Sequence, residues 1–465
     1  MDTTTIYNSS DTICAISTAP GAGAIAVVRI SGSDALPIAA KVWHGADIKT
    51  VESHTAHLGN IVDKATGNVI DQAVATIFRG PRSFTGEDTV EFAIHGSRWI
   101  QKKLVGLLIK SGARLALPGE FTRRAFSAGK MDLAEAEAVA DLISSSSQAA
   151  HRLAITQMRG DFSRKLNALR DELIQLASLL ELELDFSEED VEFASRERLM
   201  QLTQALHTRL SRLAQSFEAG QAIKDGIPIA IIGPTNAGKS SLLNALLGDD
   251  RAIVSDIHGT TRDIVEDTLE IGPYLVRFKD TAGLRQTTDT IESIGIERSR
   301  QAARNAGIVI FVVDTTAPLN MDDIAAEIDS IDTQRLIFVL NKCDIASSEI
   351  HTKVLSQHVA APIITISVQT GEGLENLKST LLAAIEKIVD NCEDDIIVTN
   401  ARHAAALNAA SQSAAAIIEG LAANIPPDFI AQDLRETIHH LSSITGQITT
   451  PDILQSIFSH FCIGK

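Results

Sequence analysis

Ile231-Ile232-Gly233-Pro234-Thr235-Asn236-Ala237-Gly238-Lys239-Ser240 joins an apolar run to a glycine-rich turn and matches the pattern G-x-x-x-x-G-K-[ST]. Where a strand precedes such a turn and a helix succeeds it, the glycines let backbone N–H groups wrap phosphates. Lys239 then reaches the outer phosphates, and the Ser240 hydroxyl ligates magnesium. Ala237 and Ser241 complete the expected contacts. The same decapeptide also suits an unliganded strand-to-helix turn, so its weight depends on the motifs downstream.

Three downstream elements come in the order a guanine-nucleotide site needs. Gly259-Thr260-Thr261-Arg262-Asp263 lies where a switch loop would bring Thr261 to the magnesium, with Ser255, Asp256, Ile257 and His258 just before it as expected nucleotide contacts. Asp280-Thr281-Ala282-Gly283 comes after the strand-like run Leu275–Phe278. There an Asp holds magnesium through water, and a Gly amide meets the terminal phosphate. Asn341-Lys342-Cys343-Asp344 comes after an apolar run. A carboxylate at Asp344 accepts from guanine's ring N–H and exocyclic amine, a donor pair that adenine lacks. Ser367-Val368-Gln369 ends the run Ile363–Ile366. It departs from the Ser-Ala-Lys more usual there, so weaker base stacking is expected. One tetrapeptide is weak evidence; four in order predict a GTPase.

The catalytic group is not the usual one. Ras-type enzymes place a water-orienting Gln just after the D-x-x-G glycine, and here that place is Leu284. Asn236 is a candidate ligand for a monovalent cation that neutralises developing charge. Glu292 is a candidate to orient the attacking water; on spacing alone it also reads as a surface helix residue.

Outward from this core the texture changes twice. Apolar runs at Ile229–Ile232, Leu275–Phe278, Ile308–Val313, Leu336–Leu340 and Ile363–Ile366 alternate with helical stretches, which predicts a parallel sheet wrapped by helices. Leu133 to Phe217 and the Ala-rich stretch after about residue 390 read as helix, the first broken near Ser144–Ser147 and Ser187–Asp190. The two helical stretches are expected to pack together around the insertion. Residues 1–120 read as mixed strand and helix, with Ile25–Val28 and Val74–Phe78 as short strands.

The 465 residues suffice for roughly three domains. Hydrophobic residues at 45% and charged ones at 22% describe an ordinary globular chain. No apolar run reaches roughly eighteen residues, so no membrane insertion is expected. The first residues, M-D-T-T-T-I-Y-N-S-S-D, lack the pattern of a secretory signal. Cys14, Cys343, Cys392 and Cys462 show no metal-ligand spacing, which fits reduced thiols in the cytoplasm. A net charge of −18 argues against non-specific nucleic-acid binding but leaves a local basic patch open. The acidic cluster from Glu181 to Glu192 reads as a solvated helix end rather than a metal site.

The flanks carry a resemblance. T-I-C-A-I-S-T-A-P-G-A-G-A-I-A-V-V-R-I-S-G (12–32), P-R-S-F-T-G-E-D-T-V-E-F-A-I-H-G (81–96) and P-G-E-F-T-R-R-A-F-S-A-G-K-M-D-L-A-E-A-E-A-V-A-D-L-I (118–143) resemble the MnmE (TrmE) family of tRNA-modification GTPases. So do D-F-S-E-E (185–189), T-N-A-R-H (399–403) and the terminal I-F-S-H-F-C-I-G-K (457–465). The G domain then resembles the TrmE-Era-Obg-like superfamily. The resemblance implies a multidomain α+β and α/β fold. Its parts are a tetrahydrofolate-binding-like α+β domain that also dimerises (1–124), a discontinuous helical domain (125–223 and 389–465) and an inserted P-loop Ras-like G domain (224–388).

It also implies potassium ligands at Asn236, Ser255, Ile257 and Thr260, a catalytic acid at Glu292 and a further matching residue at Arg285. Folate contacts, to 5-formyltetrahydrofolate or a related folate, fall on Arg29, Glu91, Lys130 and Lys465. Arg and Lys suit the glutamate tail and a carboxylate suits the pterin's donor edge; taken singly, each also reads as a surface ion pair. Ser97 stands where the family usually has a second Gly after Gly96. The implied chemistry is addition of an aminomethyl-type group at carbon five of the tRNA wobble uridine. The implied partner is an FAD-dependent MnmG/GidA flavoprotein, in a heterotetramer or larger complex. Cys462 reads either as a thiol nucleophile or as part of the packing of the tail. Two other readings stay open at this point: a non-enzymatic GTPase switch, and a folate enzyme regulated by its G domain.

Overall fold

The computed structural model describes residues 11–185, 196–248, 267–278, 301–329, 331–390 and 397–464. The chain divides into two compact units. One comprises Met1–Ala140, Gln157–Arg170 and Leu441–Lys465; the other comprises Asp141–Thr156 and Asp171–His440.

In the first unit, seven strands form one sheet. They are β1 (Ile13–Ile16), β2 (Ile25–Ser31), β3 (Trp43–His44), β4 (Thr55–Asp63), β5 (Asn68–Phe78), β6 (Thr89–His95) and β7 (Arg114–Leu115), in the order β3-β4-β5-β6-β2-β1-β7. All neighbours are antiparallel except β1 and β7. Alternation along the strands separates two faces. Ala26, Val28 and Ile30 of β2 and Val90, Phe92 and Ile94 of β6 enter the core, where the helices Ala35–Val42 and Arg98–Lys110 add Leu36, Ile38, Leu104 and Leu108. Arg29 and Glu91 therefore share the opposite face, and the register sets them side by side. At the far end of the chain, Thr450 caps the helix Pro451–Ser459 by accepting from the Ile453 amide. Phe458 and Phe461 bury against Leu133 and Ala136.

In the second unit, six strands take the order β13-β12-β11-β8-β10-β9. They are β8 (Ile227–Ile232), β9 (Asp267–Ile271), β10 (Tyr274–Phe278), β11 (Ile308–Asp314), β12 (Leu336–Asn341) and β13 (Ile363–Thr365). All pairs are parallel except β9 with β10. Continuous apolar strands are what a sheet covered on both faces requires. Ile229, Ile231, Val276, Ile310, Val312 and Val339 bury on one side against the helices Lys239–Leu247 and Leu374–Asp390, while Ala230, Ile232, Val309, Phe311, Phe338 and Leu340 bury on the other. The five strand-like runs expected here coincide with β8, β10, β11, β12 and β13; β9 has no counterpart among them. β8 lies between β10 and β11, so the turn after Ile232 opens at the point where the strand order reverses, where ligands bind in such sheets.

The helical stretches of this unit meet across a long gap in sequence. Helix Arg196–Gln215 lies along helix Ala401–Ala422, with Leu206 and Leu210 buried on one and Leu407, Ala410, Ala414 and Ile417 on the other. Ser211 and Ser411 share a hydroxyl hydrogen bond of 2.8 Å. The break expected at Ser144–Ser147 is present: one helix ends at Ser144 and the next starts at Gln148. The break expected at Ser187–Asp190 lies outside the described residues.

Candidate guanine-nucleotide and N-terminal sites

The phosphate loop is built on two glycines that nothing else could replace. Gly233 has φ +129°, and a Cβ there would sit 2.3 Å from the Val312 carbonyl oxygen. Gly238 has φ +96°, and its Cβ would lie 2.3 Å from Asn341 Nδ2. Between them Asn236 also takes a positive φ, 64°, and stands exposed. Asn tolerates that region better than most residues. Lys239 begins the helix and folds its Nζ back onto the carbonyls of Gly233 (2.6 Å) and Pro234 (2.7 Å). Burial pushes the Lys239 pKa down, the direction expected when an ammonium leaves water. The Glu327 carboxylate offsets part of that cost, and an arriving polyphosphate would add closer countercharge.

Asn341 ties the loops together. Its Nδ2 donates to the Ala237 carbonyl (3.0 Å), and its Oδ1 accepts from the amides of Lys342 (2.8 Å) and Val368 (3.3 Å). One buried side chain thus sets the spacing of the phosphate loop, the Asn341–Asp344 turn and the Ser367–Gln369 turn. Lys342 takes φ 68° and pairs with Asp314 at the end of β11. Burial raises the Asp314 pKa, but the Lys342 hydrogen bond and the Thr316 hydroxyl and amide outweigh it and hold the carboxyl below its ordinary value. Asp344 is exposed and open to a base edge. The Cys343 thiol is pushed up by burial and by the nearby Glu372 and Asp344 carboxylates. Ser367 is fully buried; its amide donates to the Glu372 carbonyl and its hydroxyl accepts from the Thr370 amide. The turn holding Val368 and Gln369 is thereby fixed through its main-chain amides, which donate to Ser367 Oγ, Asn341 Oδ1 and the Glu372 carbonyl.

The four motifs are only partly described. Asn236, Ala237, Gly238, Lys239, Ser240, Ser241, Asn341, Lys342, Cys343, Asp344, Ser367, Val368 and Gln369 gather at the carboxyl ends of β8, β12 and β13. Ser255, Asp256, Ile257, His258, Gly259, Thr260, Thr261, Asp280, Thr281, Ala282, Gly283, Leu284, Arg285 and Glu292 lie outside the described residues.

In the first unit, Arg29 and Glu91 form an ion pair across β2 and β6, with Nε and Nη2 each 2.8 Å from Oε1. The Arg29 guanidinium also lies 5.4 Å from the Phe84 ring centre and 5.5 Å from that of Phe121, a cation–π arrangement. Lys130 Nζ donates to the Pro81 carbonyl (2.8 Å), anchoring the loop that carries Phe84. Among the described residues Arg29 uses two of the five N–H donors of its guanidinium on Glu91. Ser97 takes an ordinary extended backbone, φ −67°, at the start of helix Arg98–Lys110. The second Gly of the family is therefore not needed for the turn.

The C-terminal tail is pinned. Pro118 and Ile463 form a β-bridge, Ser17 Oγ donates to the Gly464 carbonyl (3.1 Å), and the Gly119 amide reaches the Cys462 carbonyl (3.4 Å). Cys462 itself is exposed. Lys465 lies outside the described residues.

A family model described as the MnmE helical domain matches residues 133–462, and one described as the GTP-binding protein TrmE N-terminus matches residues 12–130. The tRNA modification GTPase MnmE of Parabacteroides distasonis is 50% identical over 461 residues, covering 98% of this chain and all of the relative. The chain belongs to the MnmE family of tRNA modification GTPases. The MnmE of Cytophaga hutchinsonii is 45% identical over 467 residues, covering both chains fully. The G domain of the T. maritima FeoB iron transporter matches at 24% identity and a TM-score of 0.26, covering 34% of this chain and 98% of its own.

Three features of this chain rest on pairings that its sequence motifs do not name. Asp314 belongs to none of them, although an acid ending an apolar strand is a usable signal. Phe84 and Phe121 meet Arg29 only in the fold, because nothing local links them. The third is an ion cluster around the P-G-E-F-T-R-R segment. Arg114 and Arg124 both bind Asp11 and Glu120, and Arg124 also reaches Glu87.

Proposed function

We propose that this chain hydrolyses GTP in a potassium-stimulated cycle and, with an FAD-dependent MnmG/GidA partner, modifies carbon five of the tRNA wobble uridine. The observation that carries the reading is a likeness to tRNA modification GTPases that runs the length of the chain at 50% identity. The phosphate cradle and the Asn341 anchor suit the GTP step. In that step the Gly233–Ser240 amides and Lys239 hold the phosphates, and Asp344 reads guanine. Ser240 and Thr261 would hold magnesium, which neutralises phosphate charge when bound. Asn236 with Ser255, Ile257 and Thr260 would hold potassium; an exposed carboxamide in the phosphate loop fits that role. Glu292 orients water for attack on the terminal phosphorus, the bond to the bridging oxygen breaks, and GDP and phosphate result. Arg285 assists beside the terminal phosphate.

In this proposal residues 1–124 form the folate-binding and dimerisation domain, 125–223 and 389–465 the helical domain, and 224–388 the G domain. The donor set of Arg29, Glu91, Lys130 and Lys465 fits a folate: cationic groups for the glutamate carboxylates, a carboxylate for the pterin edge. The pinning of Gly464 beside Ser17 supports a role for the tail in this unit. Homodimers meet through the N-terminal domains, G domains approach when GTP is bound, and the complex works in the cytoplasm. Among the described residues no helix is long and apolar enough to cross a membrane.

Nucleoside analysis of tRNA from a strain lacking the gene tests the reading. The aminomethyl-type groups at the wobble uridine are expected to disappear and to return with the wild-type gene but not with Lys239→Ala. Unchanged nucleosides in the deletion strain would leave a GTPase without this modification role.

A further inference from the structure

A cleft of about 570 Å³ opens in the second unit at the base of the six-stranded sheet, a size typical of small-ligand sites. Helix Arg196–Gln215 and helix Phe217–Asp225 give it Arg212 and Ala222; the sheet side gives Pro228, Arg304, Arg335 and Ile388. Pro228 stands near the start of the strand that ends at the phosphate loop. Five residues of strand, at about 3.3 Å each, place this cleft about 16 Å from Gly233. It is therefore separate from the guanine-nucleotide site.

The charge balance of the lining is unusual for this chain. Three guanidiniums line the cleft with one carboxylate, Glu218, in a protein of net charge −18. Arg335 Nη2 donates to the carbonyls of Ala303 (3.4 Å) and Arg304 (3.2 Å). Its Nε–H is buried with no hydrogen-bond partner among the described residues, so the chain around it does not saturate this guanidinium. The walls are fixed in advance. Ser216 Oγ donates to the Leu213 carbonyl (2.7 Å) and accepts from the Val398 amide (3.0 Å), while the Gly307 amide donates to the Pro228 carbonyl (2.8 Å).

We propose that this cleft binds a nucleotide phosphate, either on an RNA strand or as a free nucleotide. The guanidinium forks match phosphate oxygens. Ala222, Pro228 and Ile388 offer an apolar floor for sugar and base, and the Gln215 and Asn305 side-chain amides supply donors and acceptors for a base edge.

The test uses full-length protein with the phosphate loop saturated with GDP. Fluorescence anisotropy is measured with a labelled tRNA transcript and with labelled adenosine monophosphate, in wild type, Arg212→Ala/Arg304→Ala and Arg212→Lys/Arg304→Lys. The alanine pair is expected to weaken at least one probe about tenfold, leave GDP affinity unchanged and be partly rescued by the lysine pair. If RNA is the source, only the transcript weakens, and its salt slope falls by about two. If a free nucleotide is the source, adenosine monophosphate weakens as well. Ala222→Trp, which fills the cleft without replacing an arginine, is expected to act likewise. Wild-type affinity for both probes in the alanine pair, or failure of the wild type to bind either, overturns the proposal.

Discussion

Asp344 stands exposed at the end of a turn that Asn341 anchors to the phosphate loop, so its carboxylate is held in place yet free to meet a base. Replacing it with Asn keeps the size but turns one acceptor into a donor. Guanine's exocyclic amine then loses its partner, whereas xanthine, with a carbonyl at that position, gains one. Losing a charged hydrogen bond costs about 1.5–3 kcal/mol. Asp344→Asn should therefore bind GDP about ten- to a hundredfold more weakly and favour xanthosine diphosphate. Competition titrations measure this, and an unchanged GDP preference would remove Asp344 from the base-reading role. The local part of this site is legible in the sequence because each motif is a short run whose residue types suit its own backbone. Gly233 and Gly238 are there because Val312 and Asn341 leave no room for a Cβ. The pairing of Lys342 with Asp314 and of Arg29 with Glu91 is not legible there. Each depends on which strands become neighbours, and periodicity reports that a strand exists without naming its partner.

Elements are joined by ions and by the tail. Glu120 opens the helix Glu120–Ser127 only 1% exposed, bound to Arg114 and Arg124. Burial raises the pKa of Asp11 and of Glu120, but the two arginines outweigh it and hold both carboxyls below their ordinary values of 3.8 and 4.5. A carboxyl whose folded pKa lies below its unfolded one stabilises the fold above the unfolded value, and that stability is lost as pH falls through the folded value. Urea denaturation should thus find this contribution complete at neutral pH and declining as pH drops below about 4.5. Glu120→Ala removes the buried carboxylate that Arg114 and Arg124 share but leaves them Asp11 and Glu87, so the lost charged hydrogen bonds should cost about 1.5–3 kcal/mol at pH 7, with the gap from wild type narrowing in acid. A gap independent of pH would mean the cluster acts through packing alone. The tail supplies a second case. Gly464 has φ +99°, and a Cβ would lie 2.1 Å from the Ile16 carbonyl oxygen. Gly464→Ala should release the tail, lowering hydrogen-exchange protection at Gly119, whose amide bonds to the Cys462 carbonyl, by about tenfold or more, since such strain costs about 1–3 kcal/mol. Unaltered exchange there would show the tail is held elsewhere. None of this register is visible in the terminal I-F-S-H-F-C-I-G-K, because its partners lie more than three hundred residues away, near Ser17 and Pro118.

At the scale of the whole molecule, the proposed cation mechanism asks two strongly acidic copies to approach each other. A net charge of −18 on each opposes that approach, and dissolved salt relieves it by screening, whatever the cation. A specific potassium effect must therefore be separated from screening by comparing potassium and sodium at equal ionic strength. Asn236 allows that separation to be carried to a single side chain. Its backbone holds φ 64°, which glycine adopts freely, so Asn236→Gly keeps the loop and removes only the carboxamide. Wild-type turnover per subunit should be about tenfold or more higher in potassium chloride, equivalent to about 1.4 kcal/mol in the barrier, and should rise with protein concentration if G domains must meet. The glycine variant should bind GDP as before yet turn over at the sodium rate in both salts and at every concentration. A potassium-to-sodium ratio equal to that of the wild type would take Asn236 out of the cation site. A ratio of one in the wild type itself would leave the hydrolysis without its proposed counter-ion, and Glu292 would then have to act with charge supplied from another source.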